Sequence, residues 1–192
     1  MIWGVLVCLI LFVITLTGWE SEWAEVLDDR VFQTLSGNSI LPMFSFLGSE
    51  MMLGGGAVLL ICFLAWKRNI IGVIVVLIGV GGGNILNKAL KEWVARERPA
   101  FPHSEDGFSF VSGHAMVGII FYLLLAYFLS MYTNKKKVVY SIALLLAFLS
   151  GISRVAEKAH YATDVAGGWL LGAAIFFLLV SILNYYVFKK AA

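Results

Sequence analysis

Residues 115–132 read AMVGIIFYLLLAYFLSMY, a run without a charged side chain, placed directly behind Ser112, Gly113 and His114. A bilayer core takes roughly 20 mostly apolar residues per helix. This run is therefore read as a membrane span with a polar tripeptide at its mouth. Working outward, runs of the same kind occupy residues 2–17, 51–66, 70–90, 138–152 and 166–188. Together they predict an all-α, integral membrane bundle of six transmembrane helices, one domain over residues 1–192.

Composition agrees. The chain has 192 residues, of which 60% are hydrophobic and 14% charged. Soluble domains carry about 25% charged residues. The formal charge of +2 has no basic stripe on a soluble face to carry it, so no nucleic-acid partner is expected. Cys8 and Cys62 both lie inside apolar runs and read as small buried residues, not as a disulfide or metal ligands. Trp3, Trp19, Trp66 and Trp169 fall near predicted span ends, where interfacial aromatics collect. The first run lacks a basic n-region and a small-x-small cleavage site, so it reads as a retained anchor.

Between Trp19 and Glu50 lies the longest polar stretch. Trp23, Leu27, Val31 and Leu35 recur there every four residues, which predicts an extracytoplasmic amphipathic helix on the membrane surface or over the bundle. Glycines at 54–56, 79, 81–83, 168 and 172 read as close-packing positions between helices.

Orientation comes from the loops. Lys67-Arg68, Lys135–137 and Lys189-Lys190 follow the second, fourth and sixth runs and mark the cytoplasmic side. The opposite side holds as many basic residues, among them Arg30, Lys88, Arg96 and Lys158, but also all 12 acids of the chain. The extracytoplasmic side of the cell membrane is therefore expected to carry three polar clusters. These are Lys91 to Pro99, then Ser112-Gly113-His114, then Ser153-Arg154 with His160 and Asp164.

The clusters suit a phosphate ester. Arginine offers a planar fork to phosphate oxygens and lysine a compact charge. Lys91, Arg98 and Arg154 are thus expected to grip the phosphoryl group, with Pro99 fixing Arg98 at the membrane edge. Ser112 and Gly113 precede a span, where helix N-termini favour anions. His160 and Asp164, four apart, are expected one above the other on a helical face, leaving one imidazole nitrogen free to attack. His114, at the head of another span, is placed to protonate a departing oxygen. Two histidines and an aspartate also fit a facial metal triad, but a divalent cation would face three basic side chains. Neither a metal nor a cofactor is expected. His103 is read as loop surface.

The three blocks resemble the type-2 phosphatidic acid phosphatase family. That family carries Lys, six residues and Arg-Pro, matched by Lys91, Arg98 and Pro99. Pro-Ser-Gly-His is matched by Ser112, Gly113 and His114, with Val111 in the proline position. Ser-Arg, five residues, His, three residues and Asp is matched by Ser153, Arg154, His160 and Asp164. The resemblance implies a metal-independent lipid phosphate phosphatase. In it His160 forms a phosphohistidine, Asp164 orients it and His114 is the general acid, while Lys91, Arg98, Ser112, Gly113 and Arg154 hold phosphoryl oxygens. Small bacterial members of phosphatidylglycerophosphatase type suggest phosphatidylglycerophosphate or undecaprenyl diphosphate as substrate. Valine at 111 leaves φ freer than proline and predicts a looser phosphate loop. The rival readings are a lipid phosphotransferase of the same fold, a non-enzymatic headgroup-binding or transport protein, and a metallohydrolase.

Overall fold

A computed structural model describes residues 2–35, 37–100 and 106–191, with side chains to Tyr185. His103 lies outside the described residues. Among these residues the elements are helical. Helix α1 (Ile2–Gly18) turns by 95° into α2 (Glu22–Leu35). A 3-10 segment (Leu41–Gly48) meets α3 (Glu50–Trp66) at 45°. Helix α4 (Ile70–Val76) runs through a π-helical stretch (Leu77–Gly82) into α5 (Gly83–Val94). Then come α6 (Gly113–Leu129), α7 (Lys136–Ala156) and α8 (Ala162–Ala191).

Four helical stretches are long and apolar enough to cross a membrane: Ile70–Val94, Gly113–Tyr132, Lys136–Ala156 and Ala162–Tyr185. The count rises to six if each bent pair is one span. The six predicted runs thus correspond to helices, but α1 and α3 reach span length only with the bent segment attached. Helix α7 extends four residues past the predicted end and α8 begins four residues before the predicted start. Polar residues of the third block are therefore built into helix ends.

Helix α6, behind the opening tripeptide, is the hub. Ala115 to Leu124 are all buried, and α6 packs against α7 and α8 while α8 packs against α1. In lipid, apolar contact alone does not draw helices together, so close backbone approach and shape carry the packing. Gly168 and Gly172 supply that approach: a Cβ on either would meet α6 backbone, at 2.8 Å from the Ser112 carbonyl and 2.5 Å from that of Met116. Gly56 and Gly79 likewise admit Phe121 and Leu124. Gly54, Gly55 and Gly81 do not follow this pattern, since a Cβ there would meet open space. Large apolar side chains such as Ile10, Leu59, Ile85 and Leu145 face outward, as a multi-pass membrane protein requires.

Three smaller expectations change. Trp169 is not a belt residue: it stacks on Phe148 at 5.3 Å and donates to the Ala147 carbonyl, in room left by Gly151. Cys62 is exposed on α3. On α2 the buried face is Ala24 and Asp28, whereas Trp23 and Leu27 are exposed. The stripe read from the sequence lies to one side of the true contact face.

Candidate active site

Alternating helix directions bring the ends of α5 and α7 and the starts of α6 and α8 to one end of the bundle. The Lys67 ammonium lies over the Trp66 and Tyr132 rings at the other end. At the first end opens a cavity of about 950 Å3. Lys91, Gly113, His114, Arg154 and His160 line it, together with Asn84, Asn87, Lys88 and the acids Glu50, Glu92 and Asp106. Gly54 and Gly81, the glycines without a packing neighbour, line it as well.

His160 does not sit on a helix. Helix α7 ends after Ala156, Lys158 takes φ +63°, and the amides of Ala159 and His160 both fold back on the Arg154 carbonyl, at 3.0 and 3.2 Å. Helix α8 starts at Ala162, and the Asp164 carboxylate accepts from the Tyr161 amide at 2.9 Å. His160 and Asp164 are therefore not stacked on one helical face as expected. They meet across a turn, Nδ1 to Oδ2 at 3.5 Å. The imidazole is 2% exposed and Asp164 fully buried.

The contacts choose the tautomer. Arg98 Nη1 lies 3.3 Å from His160 Nε2. A guanidinium has only donors, so Nε2 is the nitrogen with the lone pair and Nδ1 carries hydrogen toward Asp164. Burial pushes the imidazole down to about 4; Asp164 acts against this, and Lys91 and Arg98 act with it. At neutral pH the ring is thus neutral, with a lone pair beside a cation.

Arg98 reaches this place by a different route from the one predicted. Helix α5 stops at Val94 because Ala95 adopts the left-handed conformation, φ 52°, with its amide on the Lys91 carbonyl. Pro99 lies beyond, outside the helix. Arg98 then donates to three carbonyls: Ala159 at 2.8 Å, Gly107 at 3.0 Å and Asp106 at 3.2 Å. Arg154 lies in the last turn of α7 and is 4% exposed. Its Nη1 bonds Ser45 Oγ at 2.8 Å and pairs with Glu157.

The second block is divided. Gly113 and His114 line the cavity, whereas Ser112 is fully buried and does not. The Ser112 amide donates to the Asp164 carbonyl at 3.1 Å, and its hydroxyl has no hydrogen-bond partner among the described residues. The helix end offered to an anion is therefore that of Gly113. Val111 is not loosely held: it is fully buried, and its carbonyl accepts from Asn87 at 3.0 Å. Asn87 and Asp164 together pin the segment that a proline would stiffen.

Several site residues escaped the sequence reading. Ser109 donates to Asp164 Oδ2 by a short bond and lies 3.4 Å from His160 Nδ1. Arg96, counted only as a charge, is 6% exposed and bonds Asp164 Oδ1 at 2.6 Å and Asp28 at 2.9 Å. Gly48 backs onto the His114 ring, where a Cβ would stand 2.5 Å from Cδ2. The signals for these were thin. Asp28 does share helical spacing with Ala24, Val31 and Leu35, which places an acid on a face turned inward. Among the described residues no group of three His, Cys, Asp or Glu side chains is placed to hold a metal ion.

Comparison with known proteins follows the same lines. Phosphatidylglycerophosphatase B of Bacillus subtilis (strain 168) is 38% identical over 148 residues, covering 74% of this chain and 73% of that protein. The crystal structure of the first transmembrane PAP2-type phosphatidylglycerolphosphate phosphatase from Bacillus subtilis matches with a TM-score of 0.87 at 30% identity. That match covers 95% of this chain and 97% of the other. The model of the PAP2 superfamily matches residues 69–188, which include every site residue predicted from the three blocks. With the blocks and the bundle in agreement, this chain belongs to the PAP2 superfamily.

Proposed function

We propose that this protein is a lipid phosphate phosphatase of the extracytoplasmic face of the cell membrane, acting on phosphatidylglycerophosphate and secondarily on undecaprenyl diphosphate. The observation that carries the reading is the His160 ring, held with the Nε2 lone pair facing Arg98 and Nδ1 toward Asp164. Nε2 attacks phosphorus while the bond to the leaving oxygen breaks, and His114 gives that oxygen its proton. Water then attacks the phosphohistidine and passes a proton to His114. The N–P bond breaks, releasing inorganic phosphate and neutral His160. Lys91, Arg98, Arg154 and the Gly113 helix end stabilise the phosphoryl oxygens, so positioning and charge carry most of the rate. Ser112 contributes by fixing the backbone behind Gly113.

The reaction as written involves no metal. Asp164 has little left to offer one: Oδ1 is taken by Arg96, and Oδ2 by Ser109 and the Tyr161 amide. The substrate class is supported by the two Bacillus relatives, whose names specify phosphatidylglycerophosphate. A cavity bordered by apolar helix faces also suits an amphiphile.

Phosphate release from a panel of purified lipids in detergent, with EDTA present, tests the reading. Phosphatidylglycerophosphate is expected to be hydrolysed whether or not an acceptor lipid is added, and His160→Ala to bind lipid without turnover. Hydrolysis of neither lipid overturns the substrate assignment. Loss of activity in EDTA that added metal restores overturns the metal-free step. Unimpaired biological function of His160→Ala favours the binding or transport reading.

A further inference from the structure

On the side of Asp164 away from the cavity lies a buried charged cluster that the reaction above does not use. Asp28, Arg96, Thr163 and Asp164 are each at most 6% exposed. Arg96 Nη1 donates to Asp164 Oδ1 at 2.6 Å and to Thr163 Oγ1 at 2.8 Å, and Nη2 to Asp28 Oδ2 at 2.9 Å. Asp28 also accepts from the Thr163 amide and hydroxyl, both at 2.8 Å. The guanidinium lies between two rings, 4.0 Å from the Tyr161 centroid and 4.9 Å from that of Trp19. Its plane and its direction are thus both fixed.

We propose that Arg96 and Asp28 are positioning residues for phosphoryl transfer: Arg96 turns Asp164 so that Oδ2 faces His160, and Asp28 sets how much of the Arg96 charge Asp164 feels. The inference rests on His160 as nucleophile. A carboxylate free to rotate presents either oxygen, or neither, to the imidazole. With Oδ1 held by Arg96, only Oδ2 remains for Ser109, the Tyr161 amide and His160.

The charges make a signed test. Asp164 alone is one negative charge beside the ring. Arg96 offsets it, and Asp28 offsets Arg96 in turn. Removing the cation leaves Asp164 acting on His160 undiminished, so the ring keeps its proton to higher pH. Removing Asp28 leaves Arg96 wholly to Asp164, so the ring loses its proton at lower pH. The other charged or titratable groups facing His160 stay in place in both variants. Among the described residues they are Lys91 on α5, Arg98 and Asp106 in the loop after it, His114 on α6 and Arg154 on α7.

The experiment is the pH profile of kcat/KM for phosphatidylglycerophosphate hydrolysis in the wild type, Arg96→Gln, Arg96→Lys and Asp28→Asn. The acid limb is expected to rise by about one pH unit in Arg96→Gln and to fall in Asp28→Asn. In Arg96→Lys, which keeps the charge but loses the fork, the limb stays near wild type while kcat falls and KM is held. General loosening of the fold moves neither limb, or moves both the same way, and either result overturns the proposal. If Arg96→Gln does not accumulate as folded protein, Arg96→Lys and Asp28→Asn decide the matter. An unmoved limb in Asp28→Asn, or unchanged kcat in Arg96→Lys, then overturns it. His160→Ala separates the two levels: turnover in that variant sinks the phosphohistidine reading itself. An inactive His160→Ala with unmoved limbs sinks this inference alone.

Discussion

Replacing Gly48 by alanine probes His114, the proposed general acid, without substituting it. Gly48 closes the Leu41–Gly48 segment, and a Cβ there would lie 2.5 Å from His114 Cδ2, 2.7 Å from Cγ and closer still to Ser150 Oγ. Ordinary carbon contacts begin near 3.5 Å, so something must retreat by about 1 Å. The segment resists, because Tyr122 donates from α6 to the Leu47 carbonyl at 2.8 Å. Ser150 is bonded to the His114 carbonyl at 3.1 Å. The imidazole side chain is the part that gives way. Displacement of a catalytic group by 1 Å costs on the order of 100-fold, within the 10²–10⁴ that general acid catalysis supplies. The loss depends on the leaving group. An alkoxide needs the proton from His114, whereas a nitrophenolate does not. Gly48→Ala is expected to lower kcat on phosphatidylglycerophosphate about 100-fold, to leave KM near wild type, and to spare most of the turnover of an aryl phosphate. The assay is phosphate release from both substrates by one purified preparation, with monodispersity checked in detergent. Equal losses on the two substrates, or no loss on either, would refute the reasoning.

Three further outcomes follow from the same geometry. His160 is neutral in the fold down to about 4, against 6.5 for an unburied ring. Its contribution to stability is complete above about 6.5 and is lost as pH falls toward 4, by roughly 3 kcal/mol. Detergent melts between pH 7 and 4 should show this slope in the wild type and a shallower one in His160→Gln; identical slopes would contradict it. Asn87→Leu leaves the buried Val111 carbonyl without its donor, a cost of about 1–3 kcal/mol. A lower melting temperature with reduced kcat is the expected result, and unaltered turnover would show that the segment holds itself. Glu157→Gln removes the charge paired with Arg154, a partly exposed contact worth at most about 1 kcal/mol. Inorganic phosphate should then inhibit up to about fivefold more strongly, and weaker inhibition would mean that Glu157 chiefly positions the arginine.

The membrane bundle was legible because charge-free runs have few alternatives to helix in a bilayer. The blocks were legible because their residue types are rare in such a chain. What stayed hidden depends on local chain reversals. Left-handed Ala95 and Lys158 end α5 and α7 at positions without the glycine that usually signals a helix end. That is why Pro99 reads as what fixes Arg98, and His160 as stacked on Asp164. Ser112 illustrates a second limit. Its place in the block marks it as a phosphate ligand, but its amide is already committed to the Asp164 carbonyl, and such commitments have no signature in spacing.

The stretch between Trp19 and Glu50 changes most in meaning. Read from sequence, it is a cover helix over the bundle. In the structure it supplies one contact to each part of the site: Asp28 through Arg96 to Asp164, Ser45 to Arg154, and Gly48 to His114. Asp28, Ser45 and Gly48 all lie outside the family match at 69–188. Stability alone is a poor account of the Asp28–Arg96–Asp164 cluster. Burying such ions costs several kcal/mol each, and apolar replacements of similar volume are often at least as stable. A chain with so apolar an interior had that alternative available. A charged cluster that ends on Asp164, the carboxylate proposed to orient His160, is better explained by what it does to that carboxylate. The residues proposed to handle phosphate lie in the matched region, and three of their contacts come from outside it.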